Sequence, residues 1–257
     1  MRFENKVAIV TAAANGIGKA TAKILAREGA QLVAVDKNSE ALTELTKNIE
    51  KDEGNITPLE IDVLEVKKVQ DLVDSVVARF NKIDILVNAV GGSSIIPNST
   101  APVDNLSLND WDNIIQFNLT GTFLCTSAVI SQMKKQGYGK IVNLSSDAAH
   151  GGNLMGDPSS AYVAAKAGIM AFTKKVAREA GPYGVTCNAI APTVTLSERV
   201  GPRWEQRSEE NKQQLLEAIP LKRVAQPEDQ AKVIAFLASE DANYVTGVTI
   251  DTSGGRY

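Results

Sequence analysis

Short apolar runs alternate with longer segments of helical periodicity along the whole 257-residue chain, and no other feature narrows its fold as much. The runs fall at 7–10, 32–35, 56–61, 83–87, 141–144, 185–190 and 248–250. Several are apolar at nearly every position, which is how a strand covered on both faces of a parallel sheet reads. Between them, 16–28, 39–51 and 65–79 read as helices. The first stops at Gly29, the second before Gly54, and the third starts after Asp62, each a stop or cap of the expected kind. Parallel strands joined by helices make right-handed crossovers. The pattern therefore predicts an α/β fold: one domain over 1–257, a doubly wound parallel seven-stranded sheet with helices on both faces.

Two segments break the alternation. The stretch 106–135 is mostly helical in pattern with Gly121 in its middle. The stretch 193–211 is polar, contains Pro202 and Trp204, and lacks the periodicity of a core helix. A long irregular segment inside a compact fold is commonly a lid or binding loop. The segment at about 193–220 is accordingly expected to cover a substrate, with a solvated insertion as the plain alternative.

Composition removes several function classes. A net charge of -3 gives no basic excess with which to displace counterions from a polyanion, so nucleic acid is not an expected partner. The sequence has no apolar run of the length a membrane span needs, and residues 1–6 do not read as a secretory leader. Cys125 and Cys187 have no metal-ligand spacing, which argues against a zinc site or disulfide and for a reducing, cytoplasmic compartment. His150 is the single histidine, so a Ser-His-Asp triad or a multi-histidine metal site has too few imidazoles.

The first strand leads into Thr11-Ala12-Ala13-Ala14-Asn15-Gly16-Ile17-Gly18, and a helix follows at once. A strand, a tight turn of small residues and a helix N-terminus place backbone N–H groups and a positive dipole where a pyrophosphate can sit. Gly16 and Gly18 permit close approach of ligand and backbone where a Cβ would intrude. The next strand ends at Asp36, whose carboxylate can accept hydrogen bonds from both adenosine ribose hydroxyls and would repel a 2′-phosphate. Lys37 works against that choice, but Asn15 is neutral where a cation could have held the phosphate. The expected cofactor is NAD.

Tyr162-Val163-Ala164-Ala165-Lys166 lies in a small-residue helix predicted over 160–177, where positions four apart share a face. A phenol titrates near 10, too high for a base at neutral pH. A neighbouring ammonium favours the phenolate and lowers that value. Tyr162 could then exchange a proton with a substrate oxygen while hydride moves to or from nicotinamide.

Together these residues resemble the short-chain dehydrogenase/reductase superfamily in its ~250-residue, Rossmann-type form, over nearly the whole chain from Lys6 to Gly255. Ala12 stands where that family has glycine. The resemblance implies that Asp62 and Val63 flank the adenine, and that Asn88-Ala89-Val90-Gly91 follows the fourth strand as the family's Asn-Asn-Ala-Gly stretch does. It makes Asn118, Ser146, Tyr162 and Lys166 the catalytic set. Asn118 would hold a water in a proton relay, Ser146 rather than Ser145 would orient the substrate oxygen, and Lys166 would also bind the nicotinamide ribose. Ser146 precedes Tyr162 by 16 residues, more than is usual, which places a lengthened loop at 150–159. Pro192, Thr193, Val194 and Thr195 would meet the carboxamide, with Thr193 where the family usually has glycine. The small, apolar helices 106–135 and 160–180 imply a homotetramer, burial against the chain's own sheet being the alternative.

The expected reaction interconverts a secondary alcohol and a ketone. His150 lies near the mouth and could touch a polar substrate, although a lone loop histidine is more often solvated. Arg199, Arg203 and Arg207 could hold a carboxylate, but Glu198, Glu205, Glu209 and Glu210 stand among them and favour a mixed, solvated face. A catalytically silent NAD-binding sensor or scaffold is the rival reading; it needs no proton relay. Epimerases on this fold resemble longer chains, and enoyl reductases space Tyr and Lys differently.

Overall fold

Alternate residues of each central strand point to opposite sides of the sheet, and in this chain both sides are covered. In β1 (Val7–Thr11), Ala8 and Val10 join one apolar core and Val7 and Ile9 the other. In β2 (Gln31–Asp36), Leu32 and Ala34 separate in the same way from Val33 and Val35. That two-sided burial is why these runs are apolar without alternation.

The computed structural model describes residues 1–151 and 158–256. The remaining strands are β3 (Asn55–Glu60), β4 (Ile85–Asn88), β5 (Gly139–Leu144), β6 (Val185–Pro192) and β7 (Thr249–Thr252). They form one seven-stranded sheet in the order β3-β2-β1-β4-β5-β6-β7, every pairing parallel. The winding reverses between β1 and β4, so a crevice opens beyond their carboxyl ends, the usual ligand position in such sheets.

Helices α1 (Gly16–Arg27), α2 (Ser39–Lys51) and α3 (Val66–Phe80) follow the first three strands. Two further helices, α4 (Leu108–Ile115) and α5 (Gly121–Gln136), are joined by a π-helical turn at Gln116–Thr120. Together they make a helix of 29 residues containing an 18-residue stretch of mean hydropathy 1.3, long and apolar enough by composition to cross a membrane. Cys125, Val129 and Met133 of α5 are nevertheless buried in the core beside α3, as in a sheet-covering helix. The chain continues through α6 (Ser160–Ala180), α7 (Gly201–Glu205), α8 (Glu209–Glu217) and α9 (Pro227–Ala238).

The sequence pattern missed α7, α8 and α9. Of these α9 matters most to the core: Ala231, Ile234 and Ala235 are fully buried in the layer that holds Leu25 of α1. Pro227 and the Gln226–Asp229 capping box start it. The 193–220 segment is thus partly helical.

Candidate active site

At the end of β1 the chain turns through Ala12, whose φ of 49° is the left-handed conformation that glycine adopts without strain. That is the conformational reason a glycine is expected there, and alanine is the smallest side chain that can stand in. The Thr11 hydroxyl donates to the Val87 carbonyl and accepts from the Ala89 N–H at 3.0 Å, tying the turn to the end of β4. A Cβ on Gly18 would lie 2.1 Å from the Ala12 carbonyl oxygen, so only glycine fits where α1 begins. Asp36 faces this turn. One of its oxygens accepts from the Ala14 N–H at 3.1 Å and the other from the Asn38 N–H at 3.0 Å. Lys37 lines the same cleft, its ammonium 6.0 Å from the Phe117 ring.

The turn forms one end of a cleft of about 1020 Å³. Ala12, Asn15, Gly16, Ile17 and Gly18 line that end, with Asp36, Asp62 and Val63 beside them. Ala89, Val90 and Gly91 form its floor, and Pro192, Thr193, Val194 and Thr195 the opposite wall. Thr195 is braced from α9, where buried Gln230 donates to its hydroxyl at 3.3 Å. The Thr193 hydroxyl is buried without a hydrogen-bond partner among the described residues, as a donor awaiting a ligand group would be. A glycine turn that admits no Cβ, a helix start beside it and this orphaned hydroxyl fit a dinucleotide.

Ser146, Tyr162 and Lys166 converge at the other end. The two adjacent serines separate because they project to opposite sides of the extended chain. Ser145 donates to the Lys166 carbonyl at 2.8 Å and so supports the helix backbone. Ser146 hydrogen-bonds to Tyr162, accepts from the Ala148 N–H and donates to Asp147. Lys166 is 3% exposed, and its Nζ donates to the Leu144 carbonyl at 2.8 Å, 5.7 Å from the Tyr162 ring centre. Burial, with the nearby Arg199 charge, brings the Lys166 amine down to about 7.

The Tyr162 phenol departs from expectation. Burial pushes it above its ordinary value, and Asp147 adds to the rise; the Ser146 hydrogen bond and the Arg199 charge only partly oppose this. The Arg199 charge, reaching in from the covering segment, acts to lower the phenol, and the Lys166 Nζ lies over the same ring.

Two predicted residues stand behind the cleft wall. Asn88 donates to Thr126 at 3.0 Å and Asn143 at 2.9 Å in a buried polar network. Asn118, fully buried in the π-helical turn, accepts from the Gly92 N–H at 2.9 Å and donates to the Gly92 and Ile114 carbonyls. It pegs the 91–92 backbone, and a Cβ on Gly91 would meet both Lys166 Nζ at 2.7 Å and Asn118 Oδ1 at 2.9 Å. His150 does not line the cleft; its Nε2 lies 2.7 Å from Asp251. Part of the lengthened loop, 152–157, lies outside the described residues.

The covering segment closes over both ends. Glu198 accepts from the Gly16 N–H at 2.8 Å and pairs with Lys19 at 3.3 Å. Burial raises its carboxyl, but hydrogen bonds from its own N–H, Gly16 and Lys19, with the Lys19 charge, carry it below the ordinary value. Arg199 donates to the Gly91 carbonyl at 3.0 Å. Sequence reasoning missed Ser93, Ser94, Ser99, Thr100 and Asp147, which also line the cleft; the only signal was their place just beyond a strand end. Among the described residues no group of three His, Cys, Asp or Glu side chains could hold a metal.

Comparison with known proteins agrees with this geometry. A family model described as enoyl-(acyl carrier protein) reductase matches residues 11–256. The chain is 38% identical over 256 residues to the 3-oxoacyl-(acyl-carrier-protein) reductase FabG of Thermotoga maritima, covering 99% of each. It is 39% identical to D-threitol dehydrogenase of Mycolicibacterium smegmatis, covering 99% of this chain and 94% of that one. The structure of NAD+-bound xylitol dehydrogenase aligns with a TM-score of 0.88 at 32% identity, over 99% of this chain and 100% of that one. The chain belongs to the short-chain dehydrogenase/reductase superfamily and is a NAD(P)-dependent oxidoreductase.

Proposed function

We propose that the protein interconverts a secondary alcohol and a ketone, with NAD as the hydride carrier and Tyr162 as general acid and base. The observation that carries the reading is the meeting of Ser146, Tyr162 and Lys166 at one end of a cleft whose other end is a glycine turn facing Asp36. Bound nicotinamide supplies the hydride acceptor or donor. Ser146 orients the substrate oxygen and stabilises charge developing on it. Burial holds the Tyr162 phenol protonated at neutral pH, so it is set to give a proton to a carbonyl oxygen. In the opposite direction it must accept that proton, and the Arg199 charge favours the phenolate this requires. Lys166, brought to about 7, can gain or lose a proton near neutrality beside it. Asn118 acts by fixing the 91–92 turn against Lys166.

Asp36 supports NAD over NADP, since one oxygen is held at the turn by Ala14, the other by Asn38 just after β2, and its charge opposes a 2′-phosphate. A single catalytic domain in the cytoplasm belongs to the same proposal. So does a homotetramer: Phe123 of α5 is 48% exposed and meets Phe172 of α6 edge-on at 6.3 Å, an apolar pair suited to a second copy.

The deciding experiment gives the purified protein NADH or NADPH with a panel of ketones and follows loss of reduced-nicotinamide absorbance. Turnover of any ketone, faster with NADH, is expected. Tight NADH binding without turnover of any substrate would favour the silent sensor.

A further inference from the structure

The covering segment sorts its charges. Arg199, Arg203 and Arg207, spaced by four, all line the cleft, whereas Glu205, Glu209 and Glu210 do not. Arg203 lies within α7, and Arg199 and Arg207 flank that helix on either side. The one glutamate that faces inward, Glu198, is turned toward Gly16 and Lys19 at the dinucleotide end. At the chemical end the carboxylate is Asp147, and Arg256 pairs with it at 2.8 Å. Of the charges expected to form a mixed, solvated face, the arginines and Glu198 thus line the cleft, with Arg199 and Arg203 still exposed.

Arg199 is placed to act on a ligand at the reacting end. Its Nη1 reaches the Gly91 carbonyl, and Gly91 lies against Lys166 Nζ. That bond uses one of five guanidinium N–H donors. No carboxylate among the described residues is within ion-pair distance of Arg199 or Arg203. Across the cleft, Ser93, Ser94 and Thr100 present further hydroxyls.

We propose that the substrate is a small carbonyl or hydroxy compound bearing an acidic group, carboxylate or phosphate, held by Arg199 and Arg203 of the covering segment. This rests on the reading of the cleft as an alcohol/ketone site. Guanidinium groups suit both anions bidentately, and the hydroxyl wall suits a polar substrate over a long acyl chain.

The test compares oxo acids, their neutral methyl esters and phosphorylated ketones, with wild type and Arg203→Gln, a change at an exposed side chain. Wild type should prefer one acidic class over neutral ketones. Arg203→Gln should raise the KM of that class by about 10- to 100-fold, as expected for a lost charged hydrogen bond, with KM for neutral ketones and the NADH Kd within about threefold. Whether oxo acids or phosphorylated ketones respond identifies the anion. Equal use of neutral and acidic substrates overturns the inference but leaves the proposed reaction standing. A loss of NADH affinity in Arg203→Gln assigns the arginine to cofactor phosphate and also overturns it. If nothing turns over, the proposed reaction fails; calorimetric titration of NADH-loaded protein with the same compounds then decides. Binding of an acid that Arg203→Gln abolishes upholds the anion site, and no binding sinks it.

Discussion

The Glu198 carboxylate accepts a hydrogen bond from the Gly16 N–H at 2.8 Å, at the start of α1. This N–H belongs to the turn shaped for a pyrophosphate, so a side chain of the covering segment sits where an anionic ligand is expected. Carboxylate and phosphate compete for one donor and one helix end. Glu198→Gln should therefore tighten NADH binding by about 3- to 10-fold, the range for a partly solvated anion at a helix N-terminus. Fluorescence titration of NADH measures it. Weaker binding would mean that Glu198 helps to hold the dinucleotide through Lys19.

Tyr162→Phe removes one oxygen and keeps the ring that packs against Ala161 and Ile114. Turnover should fall by about 10²–10⁴-fold, the span for loss of general acid–base catalysis, while the NADH Kd stays within about threefold. Steady-state assay and fluorescence titration separate the two. Near-normal turnover would remove Tyr162 from the chemistry.

The sheet was legible in the sequence because two-sided burial leaves little room for polar residues, as in β1 and the middle of β2. The glycine turn was legible for a steric reason, the lack of space at Gly18. Contacts made by distant segments were not. Asn118 looks like a poor helix residue, and only its bonds to Gly92 reveal it as a peg for that turn. Ser145 and Ser146 are chemically alike, and their division of labour follows from the direction each projects. The Tyr162–Lys166 spacing suggested a lysine acting on a phenol. Burial of the phenol, with Asp147 beside it, raises it instead, and the Arg199 charge arriving from a segment far along the chain opposes this only in part.

Arg199 sets the pH response of the reacting end. Its positive charge lowers both Tyr162, by favouring phenolate, and Lys166, by disfavouring ammonium. Removing that charge raises both. Arg199→Gln should shift the pH–rate profile for a neutral alcohol toward higher pH. Profiles of kcat measured across neutral and alkaline pH check this; an unchanged or more acidic profile contradicts the assigned electrostatics.

Asp36 does two jobs at once, bracing the Ala14 and Asn38 N–H groups and presenting negative charge. Asp36→Asn keeps an acceptor and removes the charge. The ratio of kcat/KM for NAD over NADP should fall by about 10-fold, equivalent to about 1.4 kcal/mol. An unchanged ratio would place the discrimination elsewhere.

Lys166 links the site to stability. Its amine is buried and titrates at about 7 when folded, against an ordinary 10.5. Between these values the unfolded chain binds one more proton than the folded one, so raising the pH favours the folded state across that window, by on the order of 1 kcal/mol per pH unit. Below about 7 both states are protonated, and the burial penalty is present in full. Lys166→Met removes the titrating group and keeps an unbranched side chain in the same space. Chemical denaturation of wild type from pH 7 to 10 should show stability rising relative to Lys166→Met, because the variant lacks this component of the pH dependence. Parallel curves for the two proteins would mean that the lysine keeps an ordinary proton affinity when folded, and that it enters the chemistry as a fixed ammonium instead of a group that can exchange its proton.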